Sequence, residues 1–171
     1  MTRTTVAIIG AGAAGNSAAR ALRAADAPVD VELFTRSGET PSNRTLVNKG
    51  VVAGLLEPHQ AVLPDAGIEV VADTVRAVDP RTRQLQLDSG QRRTFDALII
   101  ASGSRPRTLG EEIIGRDQGL RSGRLTTLHS MRDGLRVREH LAQADTARVL
   151  LLGGGLVVVG HEVLVTGALV R

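Results

Sequence analysis

Short apolar runs alternate with polar, turn-forming segments along most of the chain. Residues 4–9 form a β-branched run that ends in glycines, residues 13–25 are rich in Ala, Leu and Arg, and residues 29–34, VDVELF, are mostly apolar. These patterns predict a strand, a helix and a strand. Strand, glycine loop, helix and strand in this order make a βαβ unit, which has parallel strands and a right-handed crossover. We therefore predict an α/β fold.

Beyond residue 43 the apolar runs become shorter. Asp88-Ser89-Gly90 is a turn signal between two of them, which favours a small antiparallel insertion. The apolar run over residues 97–101 is typical of a strand that returns to the parallel sheet. The pattern predicts a helix over 46–56 that ends before Pro58, strands over 68–72, 75–78, 84–87, from Arg92 and over 97–101, a connector over 103–124, a helix over 131–144 and a strand over 148–152.

The first glycine loop is a complete G-x-G-x-x-G, Gly10-Ala11-Gly12-Ala13-Ala14-Gly15. Gly10 would allow a sharp turn, Gly12 a close approach of the backbone to a pyrophosphate, and Gly15 close packing of the helix on the sheet. The loop follows an apolar strand and opens an Ala-rich helix, which is the context that this motif requires. We predict that it binds a dinucleotide, with Ala13 and Ala14 at the phosphate. A glycine-rich turn without a ligand is the alternative.

The residue that holds the adenosine ribose is expected about 20 positions further on, at the tip of the second strand. That count reaches Thr35 and Arg36, which we place in the binding site. The acidic partner of the ribose stays unassigned. Glu32 lies within the strand and is either that partner or a solvated strand residue, and Glu39 lies in the loop beyond.

Composition narrows the function classes. Apart from Lys49, all 21 basic residues are arginines, they are scattered, and the net charge is only +3, so we expect no nucleic-acid partner despite a pI of 10.8. No cysteine is present, which removes a disulfide and a redox dithiol. The longest apolar runs fall short of a membrane span, and we expect no membrane partner and a cytoplasmic location. The four scattered histidines suggest neither a catalytic residue nor a metal site.

Three segments resemble the FAD/NAD(P)-dependent pyridine nucleotide-disulfide oxidoreductase superfamily, in particular its ferredoxin and rubredoxin reductase-like members. Residues 95–107, FDALIIASGSRPR, resemble the "ATG-x-x-P-R" segment, with Ser102 where Thr is usual. In that family this segment ends a strand beside FAD and leads toward the NAD(P)H domain. The resemblance thus implies that Ala101, Ser102 and Gly103 contact the cofactor.

Residues 41–49, PSNRTLVNK, look like the "P-Y-x-R-x-x-L-S-K" stretch of the same enzymes. The resemblance implies that Arg44 and Lys49 lie along the flavin. A fixed cation at Lys49 would stabilise negative charge on the isoalloxazine ring. A surface lysine without this role is the alternative.

Residues 148–155, RVLLLGGG, resemble the opening strand of the NAD(P)H domain. Glu162 matches the acid that closes that motif, which predicts a Lys49–Glu162 ion pair. Val158 stands where the third glycine belongs, and its branched side chain would obstruct close helix packing. This departure makes NAD(P)H binding through the second loop doubtful.

We predict a Rossmann-like FAD/NAD(P)-binding βαβ fold with a parallel sheet and a small antiparallel β insertion. The predicted division is an incomplete FAD-binding domain over 1–110, a connector and helix over 111–147, and the start of a truncated NAD(P)H domain over 148–171. The resemblance implies an FAD-dependent enzyme that passes electrons from NAD(P)H to an unknown acceptor. The alternatives are a non-catalytic dinucleotide-binding module, which self-associates through unburied apolar surface of its Val-rich end, and an inactive remnant.

Overall fold

The structure is a computed structural model that describes residues 3–26, 28–36, 38–143 and 149–152. The chain divides into two compact units. The first consists of Met1–Ser42 and Leu63–Ser104, and the second of Asn43–Val62 and Arg105–Arg171.

The first unit is built on a parallel sheet of four strands in the order β3-β2-β1-β7. A second sheet of three antiparallel strands has the order β4-β5-β6. The elements in chain order are β1 (Thr4–Ile9), α1 (Ala13–Ala24), β2 (Val29–Phe34), β3 (Val70–Val71), β4 (Val75–Asp79), β5 (Gln84–Leu87), β6 (Arg92–Thr94) and β7 (Ala97–Ile100).

The core of this unit lies on both faces of β1, because successive side chains of a strand point to opposite faces. Val6 and Ile8 are buried in one cluster with Ala19 of α1. Ala7 is buried in the other cluster, which includes Phe34 and three residues of the antiparallel insertion and its exit: Leu85, Leu87 and Phe95. The parallel sheet is therefore covered by a helix on one face and by the small sheet on the other.

The second unit is helical in its described part. Val47, Val51 and Ala61 form its buried cluster, and Leu56 and Met131 pack against it. Its elements are α2 (Arg44–Leu46), a π-helix (Val47–Val51), a 3₁₀-helix (Pro58–Ala61), α3 (Arg116–Ser122) and α4 (Met131–Gln143).

Several predicted bounds are wrong. The helix expected over 46–56 begins at Arg44, because the Asn43 side chain accepts hydrogen bonds from the N–H groups of Thr45 (3.0 Å) and Leu46 (3.4 Å). It then passes into the π-helix. The strand expected over 68–72 is limited to Val70–Val71.

The expected connector over 103–124 contains a helix, α3. Its N-cap and C-cap residues are two glycines in left-handed conformation, Gly115 at φ 82° and Gly123 at φ 74°. A strand was expected over residues 148–152. Residues 149–152 have no strand conformation, and residue 148 lies outside the described residues. The other expected strands and helices are present within one or two residues. The predicted α/β class, with its parallel sheet and antiparallel insertion, is confirmed.

Candidate dinucleotide-binding site

The first glycine loop begins where β1 leaves the sheet. The N–H group of Gly10 donates to the carbonyl oxygen of Phe34 at 2.8 Å, and the N–H group of Ala101 donates to that of Ile9 at 2.8 Å. These bonds continue the ladder one residue past β1 and β7. The carboxyl ends of β1, β2 and β7 thus meet at one edge of the sheet, which is where open parallel sheets bind ligands.

Gly10 makes a sharp turn against the exit of β7. Its φ of 106° lies in the region that favours glycine. A methyl group at this position would lie 2.7 Å from the carbonyl carbon of Ala101 and 3.1 Å from the Cα atom of Ser102. The backbone segments of residues 10 and 101–102 are therefore in direct contact.

Gly15 brings α1 onto the loop. A methyl group on Gly15 would come 3.0 Å from the carbonyl carbon of Gly10 and 3.3 Å from Cγ2 of Ile8. Gly15 is buried, as is its neighbour Asn16. The role that the sequence predicted for Gly15, close packing of helix on strand, agrees with this geometry.

Gly12 differs from the other two glycines because the space beside it is open. A methyl group there would meet no atom within 4 Å, and its φ of −69° suits any residue. Gly12 is the N-cap of α1, no side chain caps this helix end, and the first turn contains no acidic residue. The first N–H groups of a helix have no partner within the helix, and they carry partial positive charge. The open side of Gly12 thus provides a place for an anionic phosphate, and FAD with its pyrophosphate fits it.

Thr35 and Arg36 follow β2 at the same edge of the sheet. The N–H group of Thr35 donates to the carbonyl oxygen of Val71 at 2.9 Å, which fixes the strand end. Arg36 is exposed, and no acidic side chain in the described part of the chain forms an ion pair with it.

Glu32 lies within β2 and faces the antiparallel insertion. Its carboxylate is 3.7 Å from the guanidinium of Arg93 in β6. This pairing favours the structural interpretation of Glu32 over ribose binding, and the ribose-binding acid stays unassigned.

Ala101, Ser102 and Gly103 extend from β7 beside the loop. Ala101 is half-buried, Ser102 and Gly103 are exposed, and Gly103 has a φ of 68° with no atom within 4 Å of an added methyl group. These three residues and the loop belong to one unit, and the Gly10 contact brings them together. Their binding of a cofactor stays a prediction.

Arg44 and Lys49 belong to the second unit. Arg44 opens α2 and Lys49 lies in the π-helix, and both side chains are exposed. Their predicted place along a flavin stays a prediction. The Lys49–Glu162 ion pair and the second glycine loop involve residues 153–162, which lie outside the described residues.

Two features of the site were missed by sequence reasoning. Asn16 is 5% exposed, and its side-chain N–H donates to the carbonyl oxygen of Pro64 at 3.1 Å, so it ties α1 to the chain before β3. A polar residue directly after the glycine motif was a signal for this. The π-helix around Lys49 had no comparable signal.

In the described part of the chain, no three His, Cys, Asp or Glu side chains are grouped to hold a metal ion. None of the described helices has the length and apolar character to cross a membrane.

The fold and the loop have the arrangement of a Rossmann-like dinucleotide-binding domain. The profile of the pyridine nucleotide-disulphide oxidoreductase family matches residues 4–163, and the chain belongs to this family. The predicted family is thereby confirmed. Its members use FAD together with NAD(H), as the sequence predicted.

Curated relatives match nearly the whole chain. The biphenyl dioxygenase system ferredoxin–NAD(+) reductase component of Paraburkholderia xenovorans is 34% identical over 95% of this chain and 39% of its own length. The ferredoxin reductase component of chlorobenzene dioxygenase from Cupriavidus is also 34% identical, with the same coverage. The chain therefore spans about two fifths of the length of these relatives.

Solved structures show the same fold. The covalent putidaredoxin reductase–putidaredoxin complex matches with a TM-score of 0.75 at 24% identity, over 82% of this chain and 35% of the other. The ferredoxin reductase of the CYP199A2 system from Rhodopseudomonas palustris matches with a TM-score of 0.67 at 23% identity, again over 82% of this chain and 35% of the other.

Proposed function

We propose that this chain forms the FAD-binding part of an oxidoreductase that passes electrons from NAD(P)H through FAD to a ferredoxin-type acceptor. The observation that carries the proposal is the contrast within the glycine loop. Gly10 and Gly15 are in close backbone contact, whereas Gly12 faces open space at an uncapped helix end. That is the arrangement required to hold a pyrophosphate against the N-terminus of α1.

In this proposal each part of the site has a separate task. The N–H groups at the start of α1, from Gly12 through Ala13 and Ala14, would hold the pyrophosphate. Thr35 and Arg36 would lie beside the adenosine ribose, and the segment 101–103 would border the cofactor next to Gly10. When bound, FAD supplies the hydride and electron transfer chemistry.

Arg44 and Lys49 are proposed to lie along the flavin. An ammonium group near the isoalloxazine ring would favour negative charge there through a fixed electrostatic interaction. No described residue is assigned as a proton donor or acceptor, because the protein's role is to bind and orient the cofactor.

The ferredoxin-type acceptor is proposed from the relatives, which are named as ferredoxin–NAD(+) reductases of dioxygenase systems. We retain the predicted division into a FAD-binding domain over 1–110, a connector over 111–147 and the start of an NAD(P)H domain over 148–171. The cytoplasm stays the predicted location.

A titration of the purified chain with FAD, followed by flavin fluorescence, tests the proposal. We expect saturable binding by the parent chain and a loss of at least 10-fold in affinity for Gly12→Val, because the new side chain would fill the open space at the helix end. The thermal midpoint should stay close to that of the parent, since nothing lies within 4 Å of a methyl group there. Ser17→Val, at an exposed position of the same helix, is the matched control.

Equal FAD affinity of the parent and Gly12→Val would contradict the proposed site.

Where FAD binds, turnover of NADH with an artificial electron acceptor separates the two candidate functions. Turnover supports the oxidoreductase, whereas FAD binding without turnover supports the non-catalytic dinucleotide-binding module.

A further inference from the structure

Helix α4 packs closely against the π-helix at Gly134. This glycine is buried, and a methyl group on it would lie 2.9 Å from Cγ1 of Val47 and 3.1 Å from Cγ2 of Val52. Such distances are shorter than ordinary van der Waals contact. The two segments can therefore pack at this distance because Gly134 has no side chain.

Glycine is unfavourable at this place for the helix itself. Gly134 lies in the fourth position of α4, and its N–H group donates to the carbonyl oxygen of Ser130 at 3.1 Å. In a helix interior glycine is about 1 kcal/mol less favourable than alanine. The close contact with Val47 and Val52 gives a physical reason for the glycine at position 134.

The π-helix presents Lys49 on the side away from this contact. Val47 and Val51 are buried, whereas Lys49 is exposed. The N–H group of Val52 donates to the carbonyl oxygen of Val47 at 3.0 Å, and that of Leu55 donates to the carbonyl oxygen of Gly50 at 2.9 Å. Among the side chains whose positions are described, none forms an ion pair with Lys49. The π-helix backbone therefore fixes the point from which the flexible Lys49 side chain extends.

We propose that Gly134 is a positioning residue for Lys49: its contact with Val47 and Val52 sets the place of the π-helix and thereby the point from which the Lys49 side chain extends. This inference rests on the proposed function, in which Lys49 lies along the flavin. Gly134→Ala would move the π-helix away from α4 by about a few tenths of an ångström. The Cα atom of Lys49 would move with it.

The experiment uses the fact that Lys49 is the only lysine of the chain. Reductive methylation with ¹³C-formaldehyde labels Lys49 and the N-terminal amine, and the signal that is absent from Lys49→Gln identifies Lys49. We expect Gly134→Ala to shift the Lys49 signal. The double variant Gly134→Ala/Val47→Ala should restore it, because the smaller side chain at 47 leaves room for the new methyl group.

Ala142→Gly, at an exposed position of the same helix, is the control for a general change in helix stability, and it should leave the Lys49 signal in place. Circular dichroism establishes that each variant is folded. A Lys49 signal that stays unchanged in folded Gly134→Ala would overturn the proposal. So would a shift of equal size in Ala142→Gly.

A second measurement follows the flavin. With FAD bound, Lys49→Gln should lower the flavin midpoint potential, and Gly134→Ala should shift it in the same direction, with recovery in the double variant. If the midpoint potential changes in Lys49→Gln but not in Gly134→Ala, only the positioning role of Gly134 is overturned. If the potential of Lys49→Gln is unchanged, or if the parent does not bind FAD, the proposed function is contradicted instead. In that case the ¹³C signal of Lys49 still decides whether Gly134 positions Lys49.

Discussion

The backbone of Gly10 lies directly against the backbone of Ala101. A methyl group on Gly10 would be 2.7 Å from the Ala101 carbonyl carbon. The N–H group of Ala101 donates a hydrogen bond to the carbonyl oxygen of Ile9, the residue before Gly10. The start of the glycine loop and the exit of β7 are therefore joined through main-chain atoms. A change at position 10 must disturb both.

Gly10→Ala is expected to destabilise the first unit by about 2–4 kcal/mol. One part is the unfavourable φ of 106° for alanine, and the other is overpacking against main-chain atoms. Thermal unfolding measures this as a fall in Tm on the order of 10 °C. Gly12→Ala is the matched control, and its Tm should fall by only a few degrees, because alanine is merely a poorer N-cap residue than glycine there. Equal effects of the two substitutions would contradict the distinction between the packed and the open glycine.

The parts of the fold predicted most accurately are those fixed by local pattern. Residues 4–9 and 29–34 are strands with the predicted bounds, because apolar and β-branched residues make up most of both segments. The glycine loop was predictable because its spacing has a geometric reason at each position.

The parts that were missed depend on contacts between distant segments. The π-helix at Val47–Val51 packs against Met131 and Gly134, at least 80 residues away. The helical pattern alone does not distinguish it from an α-helix. Helix α3 was hidden in a Gly- and Arg-rich stretch with little apolar periodicity. The pairing of Glu32 with Arg93 likewise required the position of the antiparallel insertion.

Arg36→Glu is expected to tighten FAD binding on the order of 10-fold. The tip of β2 carries Thr35 and Arg36 where an acid would accept a hydrogen bond from the ribose, and a bond to a charged group contributes about 1.5–3 kcal/mol. Fluorescence titration measures the affinity. Arg36→Gln removes only the cation and should have a smaller effect. Weaker binding by Arg36→Glu than by Arg36→Gln would place the ribose elsewhere.

Glu32→Gln should leave FAD affinity unchanged within about twofold. The carboxylate of Glu32 faces Arg93 at 3.7 Å, with both side chains partly exposed, and such ion pairs contribute only about 0–1 kcal/mol. The same titration tests this, with unfolding by urea as the measure of stability. A loss of FAD affinity without a loss of stability would instead identify Glu32 as the ribose-binding acid.

Asn16→Ala is expected to destabilise the first unit by about 1–3 kcal/mol. The substitution removes the side chain of the buried Asn16 and with it the 3.1 Å hydrogen bond to the carbonyl oxygen of the exposed Pro64. Urea unfolding should show a lower midpoint with an unchanged slope. Ser17→Ala, at the exposed neighbouring position, controls for helix propensity. A change within 0.5 kcal/mol for both variants would show that the Asn16–Pro64 bond contributes nothing to stability.

Asp79 makes the turn between β4 and β5 sensitive to acid. Its carboxylate accepts hydrogen bonds from the N–H groups of Arg81 (2.9 Å) and Thr82 (3.2 Å). Hydrogen bonds from Thr82, first from its side chain and then from its backbone, lower the pKa of Asp79 below its usual value of 3.8. A carboxyl group with a lowered folded-state pKa stabilises the fold above the unfolded-state pKa, and this contribution is lost as the pH falls through the folded-state value.

Asp79→Asn separates this contribution from the rest of the protein. The amide still accepts hydrogen bonds but does not titrate, so the parent should be more stable than the variant at pH 7. The difference should shrink as the pH falls below the unfolded-state pKa of 3.8 and through the lower folded-state value. Urea midpoints of both proteins at a series of pH values measure the difference in stability. The contributions of other titrating groups, such as Asp73, are the same in both proteins and cancel. A difference that is constant, or that grows toward low pH, would show that the charge of Asp79 does not stabilise the turn.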